Sequence, residues 1–429
     1  MNKLLIVQVA GLGYNFLRDN HGCDWRGLKF RSAQTVFPGV TCTVQASMRT
    51  AALPEKHGMI ANGLWDRRYL KARFWEQSSR LVQGERIWQK FRENGGRVGM
   101  LFWQQSLGEA ADVVLSPAPI HKHHGGMIQD CYSRPAGLYA ELCRKLGRKF
   151  SLMNYWGPLA SHKSSAWIAD ATAELLDDSE VAPELCFTYL PVLDYDLQRY
   201  GTGHARSRKA LEHALKQLDI LRLAAERNGY EILVFGDYAL EDVSGSVIYP
   251  NRELRRHEFL SVRDVDGMEY PDLYSSRAFA MVDHAVAHVY VPDEADIVGV
   301  AGVLRDLPGV EQVLDADGQD DFGIGHANSG ELVLLAKPGS WFAYPWWRDG
   351  SAAPDYAGHV DIHNKPGYDP AELFWGWPPG SVSRRPERVG GTHGRVGAGH
   401  EVAWASSVLD GDYGSLVDLS LAVREYIEG

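Results

Sequence analysis

Four segments carry side chains able to act on phosphorus or hold a metal. The first is PGVTCTVQASMRTAALPEKHGMIANG, Pro38 to Gly63. Its Thr41 stands where an extended run gives way to a helical one. A hydroxyl there lies beside backbone N–H groups without intrahelical partners, which favours an anion. A Thr at 41 or 43 reads equally as a helix N-cap. The second is YLPVLDYDLQRYG, Tyr189 to Gly201, which presents Asp194 and Asp196 after an apolar run. The third, LVFGDYAL from Leu233 to Leu240, ends another apolar run on Asp237. Carboxylates in such places suit hard metal ions, and they equally cap following helices. The fourth, RVGGTHGRVGAGH, sets His393 among Gly390, Gly391, Gly394 and Gly397, which let the backbone approach a partner closely.

Three further clusters compete for attention. VDHAVAH holds Asp283, His284 and His288. On a helix or on a strand, His284 and His288 share a face, so the three form an alternative metal set. His121, His123 and His124 in HKHHGG read as a solvated loop. Asp361 and His363 in VDIHNKPGYDP sit among Pro and Gly, an ordered loop suited to walling a substrate cleft. Trp341, Trp346, Trp347, Trp375 and Trp377 read either as packing or as the lining of a pocket for a flat, apolar part of a substrate.

These residues need a scaffold that brings distant segments together. Short continuous apolar runs at Leu4–Ala10, Val98–Trp103, Leu185–Leu190 and Ile232–Phe235 read as buried strands of a parallel sheet. Helical patterns alternate with them at Glu85–Glu93, Ala136–Leu146, Ser164–Leu176 and Ser207–Arg227, and a last one covers Ser415–Tyr426. This alternation predicts an α/β fold with helices on both sheet faces. Ligands of such sheets bind outside the carboxyl ends of the strands, where Thr41, Asp194 and Asp237 would converge. Beyond Asp237 the alternation weakens. Residues 1–245 with 385–429 read as the core domain, and 246–384 as an inserted α+β subdomain with an aromatic loop region.

The chain has 429 residues, 45% hydrophobic, which is enough for a large core. A net charge of -11 disfavours a nucleic-acid polymer as partner. Five scattered cysteines without a CxxC pair read as reduced, mostly buried thiols of a cytoplasmic protein. No run reaches membrane-spanning length, so no membrane partner is expected. GLGYNF after the first strand lacks the third glycine of a dinucleotide fingerprint. Cys42 is not followed by the Pro and Arg of a sulfatase element.

Taken in order, Thr41, PEKHG at Pro54–Gly58, Asp194, Asp237 and the Thr-His-Gly of 392–394 resemble the nucleotide pyrophosphatase/phosphodiesterase family of the alkaline phosphatase superfamily. The resemblance implies an alkaline phosphatase-like three-layer sandwich with a mainly parallel central sheet. It implies a metal-dependent phosphoester hydrolase acting on a small phosphorylated substrate. Thr41 would be the nucleophile, and Asp194, Asp237 and His393 would hold a divalent metal: one or two zinc ions, with manganese or magnesium as alternatives. Gln198, Tyr238, Gln45, Asn62 and His363 would support the metal or touch substrate. Three ligand positions depart from the pattern: Ala10 stands for an Asp, and Gln198 and Tyr238 for two His. Two alternatives follow from those departures. One is a non-hydrolytic phosphate-ligand-binding scaffold that has lost the two-zinc site. The other is an enzyme with a relocated site at Asp283, His284 or His363.

Overall fold

The computed structural model describes residues 2–123 and 125–429. Five strands form the parallel centre of an eight-stranded sheet: Val113–Pro117, Val98–Leu101, Leu185–Leu190, Leu4–Val9 and Glu231–Gly236, in that spatial order. Cys131–Arg134 closes one edge antiparallel, and Val402–Ser406 followed by Arg31–Ala33 closes the other. Side chains along the central strands alternate between two cores. Leu5, Val7 and Val9 face the helices His162–Leu176 and Ala205–Arg227. Leu4 and Ile6 face the opposite layer, with Met48 of the Thr41–Thr50 helix and Leu419 of the C-terminal helix. Two buried faces explain why these strands read as unbroken apolar runs. The result is a three-layer α/β sandwich around a mixed sheet.

A second, four-stranded antiparallel sheet runs Phe279–Asp283, Val286–Tyr290, Leu332–Ala336, Val310–Leu314. It has a hydrophobic core of its own, which includes Trp346 and Trp347. The sequence VDHAVAH is thus neither one helix nor one strand. Asp283 pairs with Val286 across a two-residue turn, and His284 occupies that turn with φ +58°.

Two other expectations shift. The helix over Glu85–Glu93 shrinks to Gln89–Glu93, because the Ile87 N–H donates to the Arg49 carbonyl and Ile87 and Trp88 enter the core in a turn. The tryptophans do not line a common pocket: Trp341, Trp346 and Trp347 are core residues, whereas Trp375 and Trp377 are 50% and 81% exposed. All five cysteines are free thiols. No helix among the described residues is long and apolar enough to cross a membrane.

Candidate functional site

Three adjacent parallel strands end side by side at one place. Leu4–Val9 leads into Ala10-Gly11, Glu231–Gly236 leads directly into Asp237, and Leu185–Leu190 leads through Pro191 into the helix Val192–Tyr200. Asp194 therefore sits in the first turn of that helix, not on a strand end. Gln198, one turn later, shares its face.

Asp237 is fully buried and fully used. Its Oδ1 accepts the Gly11 N–H at 2.9 Å and its own neighbour's, Tyr238, at 3.0 Å. Its Oδ2 accepts the Gln8 amide at 2.8 Å and the Thr41 hydroxyl at 3.3 Å. Burial pushes its carboxyl up to about 7, against the opposing pull of the Gly11 N–H and the Gln8 amide. Asp194 is treated alike. The Gln198 Nε2 donates to both of its oxygens at 2.7 and 2.6 Å, and the Tyr238 hydroxyl donates to Oδ1 at 2.8 Å. Burial raises this carboxyl to about 6, against the opposing pull of the Gln198 and Tyr238 bonds.

Thr41 opens the helix Thr41–Thr50 and is 3% exposed. The Cys42 N–H in the same turn donates to Asn62 Oδ1 at 3.0 Å. Asn62 is held in turn by Asp283, which accepts its backbone N–H at 2.8 Å and its Nδ2 at 3.3 Å. Burial lifts Asp283 to about 7. The hairpin tip of the second sheet thus fastens an amide beside the Thr41 turn.

His393 lies flat on the Tyr238 ring, centroids 3.7 Å apart and planes at 6°. Its Nδ1 donates to the Gly39 carbonyl at 2.8 Å, and burial depresses it to about 3. On its other neighbour, His284, the centroid distance is again 3.7 Å, and His284 also meets Tyr368 at 4.3 Å. Both His284 ring nitrogens are buried without a hydrogen-bond partner among the described residues, as are Gln8 Oε1 and Gln198 Oε1. Such orphans are where water or a ligand's polar atoms complete a site.

The structure thus brings together Thr41, Asp194, Asp237, His393, Gln198, Tyr238, Asn62, Asp283 and His284. It does not bring in the others. Gln45, one turn after Thr41 on the same helix, gives its Oε1 to the Gln104 N–H at 2.7 Å, and its Nε2 is buried without a partner among the described residues. The His363 Nδ1 donates to the Phe74 carbonyl at 3.1 Å, in a different contact. His288 uses both nitrogens on backbone, Ile60 O at 3.2 Å and Gly330 N at 3.3 Å. His57 of PEKHG is structural, bonded to Ser47 Oγ at 2.9 Å and to Met59 N at 3.1 Å. His124 lies outside the described residues.

Neither candidate metal set is assembled. Among the described residues no group of three or more His, Cys, Asp or Glu converges as ion ligands. For Asp194, Asp237 and His393 the donor chemistry gives the reason. The Gln198 amide and the Tyr238 hydroxyl aim hydrogens, not lone pairs, at the Asp194 oxygens. Gln8 does the same at Asp237. A cation there would meet positive dipole ends, so a two-zinc pair does not fit this donor set. For Asp283, His284 and His288 the turn divides the residues and His288 faces backbone.

Two contributors escaped the sequence reading. Gln8 is the lone polar residue within LLIVQVA, and a polar side chain in a doubly buried strand was the available signal. Tyr368, whose hydroxyl accepts from Gln198 Nε2 at 3.3 Å, gave none beyond its Pro/Gly-rich loop.

Comparisons with known proteins place the family and the fold. The family model for type I phosphodiesterase/nucleotide pyrophosphatase matches residues 24–369. Among solved structures, phosphonoacetate hydrolase from Sinorhizobium meliloti 1021 in complex with phosphonoformate superposes with a TM-score of 0.63 at 16% identity, over 99% of this chain and 96% of that one. Murine ectonucleotide pyrophosphatase/phosphodiesterase 5 in complex with AMP gives 0.60 at 14%, over 100% and 95%. The human counterpart gives 0.61 at 13%, over 99% and 95%. A comparison with curated proteins finds no match.

Proposed function

This chain belongs to the type I phosphodiesterase/nucleotide pyrophosphatase family of phosphoester hydrolases, and from that premise we propose that it cleaves a small phosphodiester at Thr41 without a resident metal pair. The observation that carries the reading is the Thr41 hydroxyl on Asp237 Oδ2 at 3.3 Å, at the start of a helix.

Asp237 takes the Thr41 proton as Oγ attacks phosphorus. The phosphorus–oxygen bond to the leaving alcohol breaks, and solvent protonates that oxygen. Asp237 then releases its proton and accepts one from an attacking water. The phosphorus–Oγ bond breaks, and Thr41 recovers a proton. The Thr41 and Thr43 N–H groups and the second Asn62 Nδ2 hydrogen, which have no partner among the described residues, stabilise the phosphoryl oxygens. A carboxyl raised to about 7 is matched to this task, because it is ionised for part of the time at neutral pH and still basic. Among the described residues the centre holds no arginine or lysine, so it favours a singly charged phosphodiester over a doubly charged monoester. In Lys365, the buried ammonium of the Tyr368 loop, the charge is committed to Asp369 at 2.8 Å and Glu372 at 2.7 Å.

The second reading is a scaffold that binds a phosphorylated ligand and no longer hydrolyses it. It is favoured by the saturation of Asp194 with three donor bonds. Turnover of bis(p-nitrophenyl) phosphate by the intact chain separates the two. Turnover that disappears in Thr41→Ala supports the nucleophile. Turnover that survives it sinks the nucleophile, and binding without turnover in the unaltered chain selects the scaffold.

A further inference from the structure

The helix Val192–Tyr200 has a second working face. Val192, Tyr195, Asp196 and Arg199 follow helical spacing away from Asp194 and Gln198. They form one wall of a cleft of about 270 Å³, whose other walls come from Ala160–His162 and from Arg206, Lys209, Ala210 and His213 of the long helix Ala205–Arg227. None of these residues belongs to the Thr41 centre.

The charge of this cleft runs against the chain. The protein carries a net -11, yet the cleft is lined by Arg199, Arg206 and Lys209 against one carboxylate, Asp196. Asp196 is already paired with Arg199 at 3.2 Å. Arg199 is further fixed by the carbonyls of Leu373, Ala160, Gly157 and Pro158, so it forms a rigid floor. Arg206 is steered by the Tyr200 hydroxyl and ring, with no carboxylate partner among the described residues. Lys209 likewise has no ion-pair partner among them. His162 and His213 stack face to face across the mouth, 3.9 Å apart and 4° from parallel. The 15-residue helix His162–Leu176 begins here, and its N-cap Ser161 makes no capping bond with its side chain. The Ser164 N–H is taken by the Ser161 carbonyl, which leaves the His162 and Lys163 N–H groups and the Ser161 hydroxyl without partners among the described residues.

We propose that this cleft is a binding site for a small polyanion of the inorganic pyrophosphate class, separate from the Thr41 centre. Two uncommitted cations, a pair of ring donors and an uncapped helix start, gathered around a half-open cleft, match an oxyanion with several charges. The proposal does not depend on how Thr41 acts.

Isothermal titration of the full chain with inorganic pyrophosphate tests it. The expected result is saturable one-site binding that weakens about tenfold or more in R206A/K209A. Binding should be unchanged in T41A, and in K29A/K71A, which removes the same charge from exposed positions elsewhere. No saturation up to about 10 mM, or equal affinity in R206A/K209A, overturns the site. Equal weakening in K29A/K71A would mean diffuse charge, and loss in T41A would place the ligand at the Thr41 centre; either result also overturns it.

Discussion

The two faces of the helix Val192–Tyr200 handle charge in opposite ways. On the inner face Asp194 is buried and receives its hydrogen bonds from an amide and a phenol, with no cation in contact. On the outer face Arg206 and Lys209 stand open without carboxylate partners, around a cleft with a single, already paired acid. A buried carboxylate satisfied only by neutral dipoles drifts toward its protonated form, as the values of about 6 and 7 for Asp194 and Asp237 express. An exposed cation keeps its charge and stays available. The comparison teaches that the inner face holds its carboxylates by hydrogen bonds from neutral groups. The positive charge that would attract a polyanion lies on the other side of the same helix.

The largest effect expected is on the inner face. Thr41→Ala should lower turnover of a phosphodiester by about 10³-fold or more, and Asp237→Asn by about 10²- to 10⁴-fold, in single-turnover assays. Asp237 also sets the pH response. It must be ionised to accept the Thr41 proton, and its folded value is about 7. kcat/KM should therefore climb with pH up to about 7 and flatten above it, and the climb should vanish in the residual activity of Asp237→Asn. A rate that falls as pH rises toward 7 would contradict the base assignment. Next in size, Tyr238→Phe leaves Asp194 one donor short inside the core and should cost about 1–3 kcal/mol in urea unfolding. If Tyr238→Phe is as stable as the parent, the phenol is not satisfying Asp194. Smallest is the outer face: R206A/K209A removes exposed, unpaired charges and should change unfolding free energy by no more than about 0.5 kcal/mol. A large loss there would mean that the cleft's cations hold the fold and are not free for a ligand.

The sheet was legible because doubly buried strands leave unbroken apolar runs. Leu4–Ala10, Leu185–Leu190 and Ile232–Phe235 all appear where those runs stand. Of Thr41, Asp194 and Asp237, only Asp237 directly follows a strand, whereas Thr41 and Asp194 sit in the first turns of helices. What the sequence hid were contacts made across long separations. The Gln8 amide reaches Asp237, 229 residues away, and Tyr368 reaches Gln198, 170 residues away. VDHAVAH was ambiguous because a helix, a strand and a hairpin all tolerate those residues; the pairing of Phe279–Asp283 with Val286–Tyr290 decided it. Gln45 and His363 looked functional by chemistry alone; in the structure each bonds a backbone group far along the chain, 59 and 289 residues away.

The central claim is that Thr41 and Asp237 act without a metal pair. Its most direct test is turnover of bis(p-nitrophenyl) phosphate after exhaustive chelation, with metal content measured on the same sample. The account predicts that turnover persists in metal-free protein and does not rise when zinc, manganese or magnesium is returned. Loss of turnover on chelation, with recovery on adding one of these ions, would contradict it.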